Sequence, residues 1–461
     1  MVREVEGYKS AEHTKMYGLT RDVERGVRMA LDEGNGRRLY RLIRPLHSAD
    51  FADLVERYSG QERRLLVTVV GKYFDPDILA ELDHAVREEV LTYLSEEVLI
   101  RAVSALPSDD VVEVIGELDA DRQQRLLQVI PEADRVLVEE ALAYDDDSAG
   151  RLMQRETVTV PLNWTVAQTL DFLFNDTDLP DEFYDIFVLD QAGRPSGQLS
   201  LSRLLRTERP VLVSDIMSTR FHRVLVHMDQ EDVAMLFRQY GLVSAPVVDE
   251  NNRLVGMITV DDVVDVIDEE AEEDLMHLGG VGEDDLHGGL LDTTRSRFSW
   301  LVVNLVTAMI AAGVIGIFET AIEKIVALAV LMPIVSSMGG NAGTQTLTVA
   351  VRALAMRELT ATNASKFIVK ETMVGSFNGI AFAFIAGTVS WIWFGDLQIA
   401  AILASAMVIN LVVAGVFGTM IPIGLAHYRL DPAVASTVFL TTVTDVIGFL
   451  TFLGLATYFL M

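Results

Sequence analysis

Asp445 is the residue of this sequence whose type and position most clearly predict chemistry. It lies near the middle of the last apolar segment, T-T-V-T-D-V-I-G-F-L-T-F, and no Lys or Arg lies in the interior of any apolar segment of the chain. A carboxylate at the centre of a membrane is costly, and such residues usually face a bundle interior or a water-filled path and serve transport. Asp445 therefore predicts a path for a cation.

A second polar sequence, L-M-P-I-V-S-S-M-G-G-N-A-G-T-Q-T, lies in an earlier apolar segment. Its proline and glycines can open the helix backbone, which is tolerated at membrane depth where the backbone lines a cavity. They can instead permit close helix contact, with polar side chains as glue. Asn341, Thr344 and Gln345 add side-chain oxygens. The segment therefore predicts a second wall of the path, with helix packing as the alternative role of the glycines.

The third chemical feature is a large excess of acid. The formal charge is −30, and the first 294 residues hold 29 basic and 60 acidic residues, whereas the remainder is close to neutral. Residues 261–285 contain twelve Asp or Glu and no Lys or Arg. The segment D-V-I-D-E-E-A-E-E-D-L-M-H-L-G-G predicts a helix, and like charges at i,i+4 destabilise an isolated helix. Divalent cations would neutralise it.

This charge balance also excludes several classes of function. An excess of acid repels nucleic acid, so DNA and RNA are not expected as partners. The absence of Cys excludes disulfides and thiolate metal sites. No P-loop, H-E-x-x-H or G-x-S-x-G motif is present, and the eight His residues are scattered without metal-ligand spacing. An enzyme is therefore not expected.

Five apolar segments must position the membrane residues. They cover about 296–318, 325–350, 367–394, 398–425 and 433–460, and each exceeds the roughly 20 residues that cross a bilayer core. Most of the Arg and Lys residues lie in the loops of one side, whereas the opposite loops hold Glu319, Glu323, Lys324 and Asp396. The basic side is therefore predicted to be cytoplasmic. The sequence thus predicts a multi-pass protein of the cytoplasmic (inner) membrane with its N-terminus in the cytosol and its C-terminus outside.

Two further regions precede these spans. Residues from about 20 to 145 carry apolar residues at helical spacing, which predicts stacked helical hairpins. Residues 150–260 contain two similar halves of strands and helices, and they resemble a tandem cystathionine-β-synthase (CBS) pair, a regulatory module that often senses adenosine nucleotides. The second half contains the sequence G-M-I-T-V-D-D, in which Thr259 and Asp262 are spaced as in a nucleotide-binding CBS motif. ATP is therefore a candidate ligand, although the first half lacks the corresponding acid.

The predicted fold class is a multidomain membrane protein. It combines an all-α helical-repeat N-terminal domain (1–145), an α/β tandem CBS pair (150–260), an acidic helix with a linker (261–294) and a five-helix transmembrane domain (295–461). Five helices are few for a pore, and one carboxylate cannot balance a divalent ion. A two-fold homodimer in the lipid bilayer would solve both problems. Mg²⁺ with retained water fits such a site, and Mn²⁺ or Ca²⁺ fit by ligand type alone.

In this order of regions, and in four sequence blocks, the chain resembles the MgtE family of magnesium channels. The blocks are Y-D-D-D-S-A-G-R-L-M, V-D-D-V-V-D-V-I-D-E-E-A-E-E-D, P-I-V-S-S-M-G-G-N-A-G-T-Q and T-T-V-T-D-V-I-G. The resemblance implies a homodimer whose ion path is lined by spans two and five, with Asp445 as the central ligand and Asn341 as a pore-lining partner. It also implies that the acidic helix is a plug and that Mg²⁺ is both cargo and regulator.

The same resemblance implies further metal ligands. Asp431 is a candidate at the inner mouth, and Glu319 and Glu323 are candidates at the outer mouth. The implied regulatory ligands, between the helical domain, the CBS pair and the plug, are Asp109, Glu113, Asp229, Glu231, Asp262, Asp265, Glu270, Glu273 and Asp274.

Three functions remain open from the sequence. The first is a Mg²⁺-selective channel that imports Mg²⁺ and closes when Mg²⁺ binds the acidic cytosolic regions. The second is a proton- or sodium-coupled divalent cation exchanger that uses Asp445, although no internal inverted repeat is visible. The third is a membrane-anchored cation or nucleotide sensor in which Asp445 and Asn341 would be dispensable.

Overall fold

A computed structural model describes residues 19–176, 179–180, 183–281, 290–428 and 430–461. The chain divides into two compact units, one ending at Asp268 and one beginning at Glu269. The predicted linker from Gly279 to Gly289 lies largely outside the described residues.

The first unit begins with an all-α region. Its helices are α1 (Arg21–Asp32), α2 (Gly36–Ile43), α3 (Ser48–Glu56), α4 (Gly60–Val70), α5 (Asp77–Ala80), α6 (His84–Tyr93), α7 (Glu96–Ala105), α8 (Ser108–Gly116), α9 (Ala120–Val129) and α10 (Glu132–Ala141), with a short 3₁₀ turn at Gly71–Tyr73. One hydrophobic core runs from Val27 to Ala141 through all of this region. The predicted all-α stack is confirmed.

A pair of buried arginines shows the repeat that the sequence only suggested. Arg63 donates to the carbonyl of Val55, eight residues earlier, and pairs with Glu89. Arg87, 24 residues after Arg63, donates to the carbonyl of Leu79, again eight residues earlier, and pairs with Glu113 and Glu117. Because equivalent contacts recur at this offset, at least two of the stacked hairpins are copies of one unit.

The second region of the first unit contains two small sheets of the same topology. Its elements are α11 (Ala149–Leu152), β1 (Thr159–Pro161), α12 (Val166–Asn175), β2 (Asp185–Leu189), β3 (Pro195–Ser200), α13 (Leu201–Leu205), α14 (Val213–Ile216), β4 (Val224–Leu225), α15 (Gln230–Tyr240), β5 (Ser244–Val248), β6 (Leu254–Thr259) and the start of α16 (Val260–Gly279). In each sheet a parallel pair is followed by an antiparallel pair, in the orders β1-β2-β3 and β4-β5-β6. This repetition confirms the predicted pair of α/β halves.

The second unit holds five helices that are long and apolar enough to cross a membrane. They are α17 (Leu290–Ile317), α19 (Val326–Ala355), α20 (Ala364–Phe394), α21 (Leu397–His427) and α22 (Pro432–Leu460), called spans 1 to 5, and the short helix α18 (Glu319–Lys324) joins spans 1 and 2. Spans 2 and 3 are longer at the charged side than predicted. Their helices continue past the apolar pattern through charged residues such as Arg352 and Lys366, whose long side chains can reach the interface.

Span 4 is the central helix of this bundle. It packs against spans 2, 3 and 5, whereas the contacts of span 1 are mainly with span 5. Span 2 remains one helix from Val326 to Ala355 although Pro333 lies inside it. The interpretation that its glycines open the backbone is therefore wrong, because the helical hydrogen bonds continue through them. Gly343 acts in packing instead: a Cβ on it would lie 3.0 Å from the side chain of Leu440 in span 5.

Candidate functional site

Asp445 is held by a side chain of another span. The hydroxyl of Ser336, in span 2, donates a hydrogen bond to Oδ1 of Asp445, in span 5. Both side chains are half-buried. The contact joins residues 109 positions apart in the sequence, and it places the predicted carboxylate at the junction of the two spans that were expected to line the path.

Asn341, the predicted pore-lining partner in span 2, has no hydrogen bond to Asp445 among the described residues. Its Nδ2 donates to Ser337 Oγ at 3.5 Å, within span 2. Asn341, Thr344 and Gln345 are all exposed on the surface of the single chain. The hydroxyl of Thr344 is satisfied within the helix, by the carbonyl of Gly340 at 2.9 Å. The exposed amides of Asn341 and Gln345 are unfavourable in lipid, so this face requires a polar or protein environment.

The end of the acidic helix α16 contacts the start of span 5. Asp431 caps span 5, because its Oδ1 accepts from the backbone N–H of Ala433 at 2.7 Å. Its Oδ2 lies 3.0 Å from Nδ1 of His277, which is 3.6 Å from Oε1 of Glu273. Burial, and then the charge of Asp431, raises the pKa of Asp274, whereas His277 opposes that rise. Four ionisable groups therefore meet at this end of the bundle.

Apolar contacts support the same junction. Leu278 packs against the core formed by Leu347, Val351, Ala433 and Leu440, which belong to spans 2 and 5. The hydroxyl of Thr437 is 3.4 Å from the Leu278 carbonyl, to which it donates. The C-terminal turn of α16 is therefore packed against the two spans that carry Ser336 and Asp445. Glu270 lies on the same helix, half-buried, one turn before Glu273.

A separate cluster of carboxylates lies in the first unit, where the start of α8 meets the start of α16. Burial, followed by the charges of Asp262 and Asp110, raises the pKa of Asp109. Burial, followed by Glu113, raises the pKa of Asp110 to about 7. Burial raises the pKa of Asp262 to about 6, and the hydroxyl of Thr259 opposes that rise. The structure thus brings together Asp109, Glu113, Asp262 and Asp265, and adds Asp110.

Two members of this cluster already have partners. Glu113 accepts from Arg87, whose guanidinium is buried and also bonds Glu117 at 2.8 Å. Asp262 accepts from Thr259 Oγ1 at 2.8 Å, and Gln154 in turn donates to that hydroxyl at 3.2 Å. Oδ1 of Asp109 is buried and has no hydrogen-bond partner among the described residues. Asp109 is therefore the member of the cluster whose charge is least compensated.

Asp229 and Glu231 lie elsewhere in the first unit. Asp229 is the N-cap of α15, and its Oδ1 accepts from the backbone N–H of Glu231 at 2.9 Å. The charge of Asp229 helps to raise the pKa of Asp147, after the effect of burial. This acidic pair therefore adjoins the D-D-D sequence that links the two regions of the first unit. Glu319 and Glu323 are exposed on α18, one turn apart.

The geometry limits how these groups could hold a metal. Across the parts of the chain that the structure describes, no three His, Asp or Glu side chains converge in an arrangement that could ligate an ion. A cation at either cluster would therefore keep much of its water, which is how Mg²⁺ is usually held, by one or two carboxylates. The atoms that could ligate a metal at these two clusters are oxygens, apart from the imidazole nitrogen of His277.

Several polar residues of the spans were not predicted from the sequence. Ser336 lies in the quoted P-I-V-S-S block, yet only its contact with Asp445 distinguishes it from Ser337. Asn410, in span 4, is fully buried. Glu371, near the charged end of span 3, is also buried and lies 3.4 Å from both Thr346 Oγ1 and Lys370 Nζ. The sequence does contain one indication of Asn410, because it is a polar residue in the middle of an apolar segment.

Comparisons with known proteins cover most of the chain. A family model described as a divalent cation transporter matches residues 332–455, one for the MgtE intracellular N domain matches residues 46–147, and one for the CBS domain matches residues 213–269. A crystal structure of the cytosolic domain of the Mg²⁺ channel MgtE in complex with ATP is 33% identical; the match covers 53% of this chain and 99% of that chain, with a TM-score of 0.48.

Two curated relatives extend the similarity over nearly the full length. The magnesium transporter MgtE of Thermus thermophilus is 33% identical over 434 residues, which is 93% of this chain and 96% of that protein. The magnesium transporter MgtE of Bacillus subtilis is 30% identical over 431 residues, again 93% of this chain and 96% of that protein. The chain therefore belongs to the MgtE family.

Proposed function

We propose that this protein transports Mg²⁺ across a lipid bilayer along a path between spans 2 and 5, with Asp445 as the carboxylate that meets the ion. The observation that carries the proposal is the hydrogen bond from Ser336 to Asp445, which joins the two spans at the one carboxylate in the middle of the membrane segment. An intramembrane carboxylate with a polar partner marks an ion pathway by default.

Magnesium is the proposed cargo for two reasons. The full-length relatives are named magnesium transporters. The groups along the proposed path are carboxylate, hydroxyl and amide oxygens, and Mg²⁺ prefers oxygen ligands and retains several waters. Neither relative's name supports the alternative of a proton- or sodium-coupled exchanger.

The path is proposed to form between two copies of the chain. Asn341, Thr344 and Gln345 are exposed on span 2 of the single chain. In a two-fold homodimer this polar face would line a shared, hydrated interface, and each copy would supply one Asp445. Two carboxylates would balance the charge of one divalent ion.

Regulation is proposed to act through the acidic helix α16. Its last turns lie against the ends of spans 2 and 5 that are proposed to be cytosolic, where the like charges of Glu273, Asp274 and Asp431 come together. Divalent cations that bridge these carboxylates would stabilise the contact and close the path. Loss of the cations would leave the charges to repel one another and release the helix. The N-terminus is accordingly proposed to lie in the cytosol and the C-terminus outside.

Binding of ATP by the CBS pair is a separate proposal. Thr259 and Asp262 bond each other, so a ribose hydroxyl would have to compete with Thr259 for the Asp262 carboxylate. ATP binding would then also change the charge of the acidic cluster around Asp109. Binding of ATP to the wild type, but not to Asp262→Asn, in an equilibrium dialysis assay would support it.

The test of the main proposal is the Mg²⁺ current of membrane patches that carry the wild type or Asp445→Asn. Asparagine keeps the shape and the acceptor for Ser336 but removes the charge. We expect the wild-type current to fall as cytosolic Mg²⁺ is raised and the variant to carry no Mg²⁺ current, with normal amounts in the membrane. A wild-type Mg²⁺ current retained by Asp445→Asn would overturn the proposed path.

A further inference from the structure

Asn410 is a polar residue buried in the centre of the membrane bundle. It lies in span 4, and none of its surface is exposed. Its Nδ2 donates to the carbonyl oxygen of Val335 in span 2, at 2.8 Å. Its Oδ1 is buried and has no hydrogen-bond partner among the described residues.

The energetics of this arrangement do not favour an amide for packing alone. A buried acceptor without a partner carries its full desolvation cost, whereas an apolar side chain of the same shape carries none. Leucine is close to asparagine in shape, and the surroundings of Asn410 in span 4 include Met407 and Leu411, both buried. What the amide adds is a directional bond between two spans, which is a recognised use of polar residues in membrane bundles.

Two glycines make room for this amide. A Cβ on Gly339, in span 2, would lie 2.2 Å from Asn410 Nδ2, and a Cβ on Gly448, in span 5, would lie 2.8 Å from the same atom. Neither distance is compatible with a side chain there unless Asn410 moves. The amide of Asn410 therefore occupies the space in which spans 2, 4 and 5 meet.

The position of the two glycines relates this space to the proposed path. Gly339 follows Ser336 by three residues, and Gly448 follows Asp445 by three residues, so each glycine lies about one helical turn from one member of the bonded pair. Val335, whose carbonyl accepts from Asn410, directly precedes Ser336. Asn410 thus holds span 2 immediately beside the residue that bonds Asp445.

We propose that Asn410 is a positioning residue for the ion path: through the Val335 carbonyl and the two facing glycines it fixes span 2 against span 5, so that the Ser336 hydroxyl reaches Asp445. This inference rests on the proposed function. Asn410 does not itself meet the ion. Because it sets the geometry of oxygens that select a small, hydrated cation, its loss should change selectivity as well as rate.

The first test compares Asn410→Leu with the wild type in patches, with Mg²⁺ and then Ca²⁺ as the permeant ion. Loss of an outer residue that orients ligands typically costs about 10- to 100-fold in activity, and we expect a loss of that size in Mg²⁺ current with a smaller loss for Ca²⁺. Asn304→Leu is the matched control. Asn304, in span 1, donates to the carbonyl of Trp300 in its own helix at 3.1 Å, and its replacement should leave both currents unchanged.

The second test separates the hydrogen bond from packing. Gly448→Ala alone should displace the amide and reduce the Mg²⁺ current. Adding Asn410→Ala removes the clash and lets the new methyl group fill part of the space. If packing were the only role of Asn410, this double variant would recover the wild-type current and selectivity. We expect the double variant to be present in the membrane in wild-type amounts and yet not to recover the wild-type selectivity.

The outcomes distinguish this inference from the proposed function. A current lost in Asp445→Asn but unchanged in both Asn410→Leu and Gly448→Ala would overturn the positioning role and leave the path intact. A current unaffected by Asp445→Asn would overturn the path itself. If Asn410→Leu does not reach the membrane, Gly448→Ala, which retains Asn410, carries the test: a wild-type Mg²⁺/Ca²⁺ ratio in that variant would contradict the inference.

Discussion

At the scale of single residues, the structure changes how Asp445 is understood. An isolated carboxylate in the membrane was expected to need a cation, a proton or water. It has the hydroxyl of Ser336 as a partner, and that bond orients one of its two oxygens. The other oxygen, Oδ2, has no hydrogen-bond partner among the described residues, and in the proposed path it would face the hydrated ion. A serine that orients a ligand in this way acts on the ion indirectly, as the outer ligands of metal sites do.

Ser336→Ala tests this role. The change removes only the hydroxyl, so the bundle should assemble normally while the Asp445 carboxylate loses its fixed orientation. We expect the Mg²⁺ current to fall by about 10-fold or more. Ser405→Ala serves as the control, because the hydroxyl of Ser405 bonds Ala401 of its own helix, in span 4. Equal currents in the two variants would show that the Ser336 bond has no part in conduction.

At the scale of elements, helix α16 combines two kinds of contact. Its carboxylates repel one another and are unfavourable without counter-ions. Its last turn, however, packs an apolar side chain, Leu278, onto spans 2 and 5. We expect the apolar contact to hold the helix in place only while the nearby charges are compensated. Those charges belong to Glu273, Asp274 and Asp431, with His277 between them.

Neutralisation of this end of α16 should therefore weaken control by Mg²⁺. In patches that carry Glu273→Gln with Asp274→Asn, we expect the current to persist at cytosolic Mg²⁺ concentrations that close the wild type, because the cations that bridge the carboxylates have lost their ligands. The control is Asp268→Asn, an exposed position on the same helix. Unchanged inhibition in the double variant would mean that α16 does not sense the ion.

At the scale of the whole molecule, the excess of acidic residues lies in the first 294 residues and the apolar bundle follows it. The cluster around Asp109 in the first unit is unfavourable when fully ionised, since its members have pKa values raised by burial and by one another. A carboxyl group whose pKa is raised by folding contributes stability that is present at low pH and is lost as the pH rises through the pKa of the folded state.

A pH dependence follows for the protein in EDTA. As the pH rises through about 6 to 7, the amides of α8 and of the start of α16 should lose protection from hydrogen exchange, after correction for the intrinsic exchange rate. Addition of Mg²⁺ at pH 8 should restore protection. Asp110→Asn should reduce the pH effect, and protection that is independent of pH in the wild type would refute the raised pKa values.

The proposed homodimer can be tested because the chain contains no Cys. Thr348, exposed on the same polar face of span 2 as Thr344, would lie near the shared interface. We expect Thr348→Cys to form a covalent dimer on mild oxidation in the membrane. Phe384→Cys, on an exposed surface of span 3, should not. Equal cross-linking of both variants would indicate random collision rather than a defined dimer.

Much of this protein was predictable from local sequence. Hydropathy predicted the five spans, strand and helix patterns predicted the two CBS halves, and the position of Asp445 in an apolar segment indicated the proposed path. These features are encoded within windows of about 20 residues or fewer, so no tertiary contact is needed to recognise them. The family resemblance rested on the same local blocks, and the full-length relatives confirm it.

The tertiary structure decided which distant residues meet. Nothing in the sequence distinguishes Ser336 from Ser337, or shows that Asn410 in span 4 bonds Val335 in span 2, 75 residues away. In the acidic cluster of the first unit, the family resemblance implied Asp109 and Asp262, and only the structure added Asp110. Such contacts depend on helix rotation and on close approach at particular glycines, and these follow from the packing of the whole bundle. The sequence by itself therefore determined the elements and the charge of Asp445, and the packing of the helices decided the geometry of the proposed path.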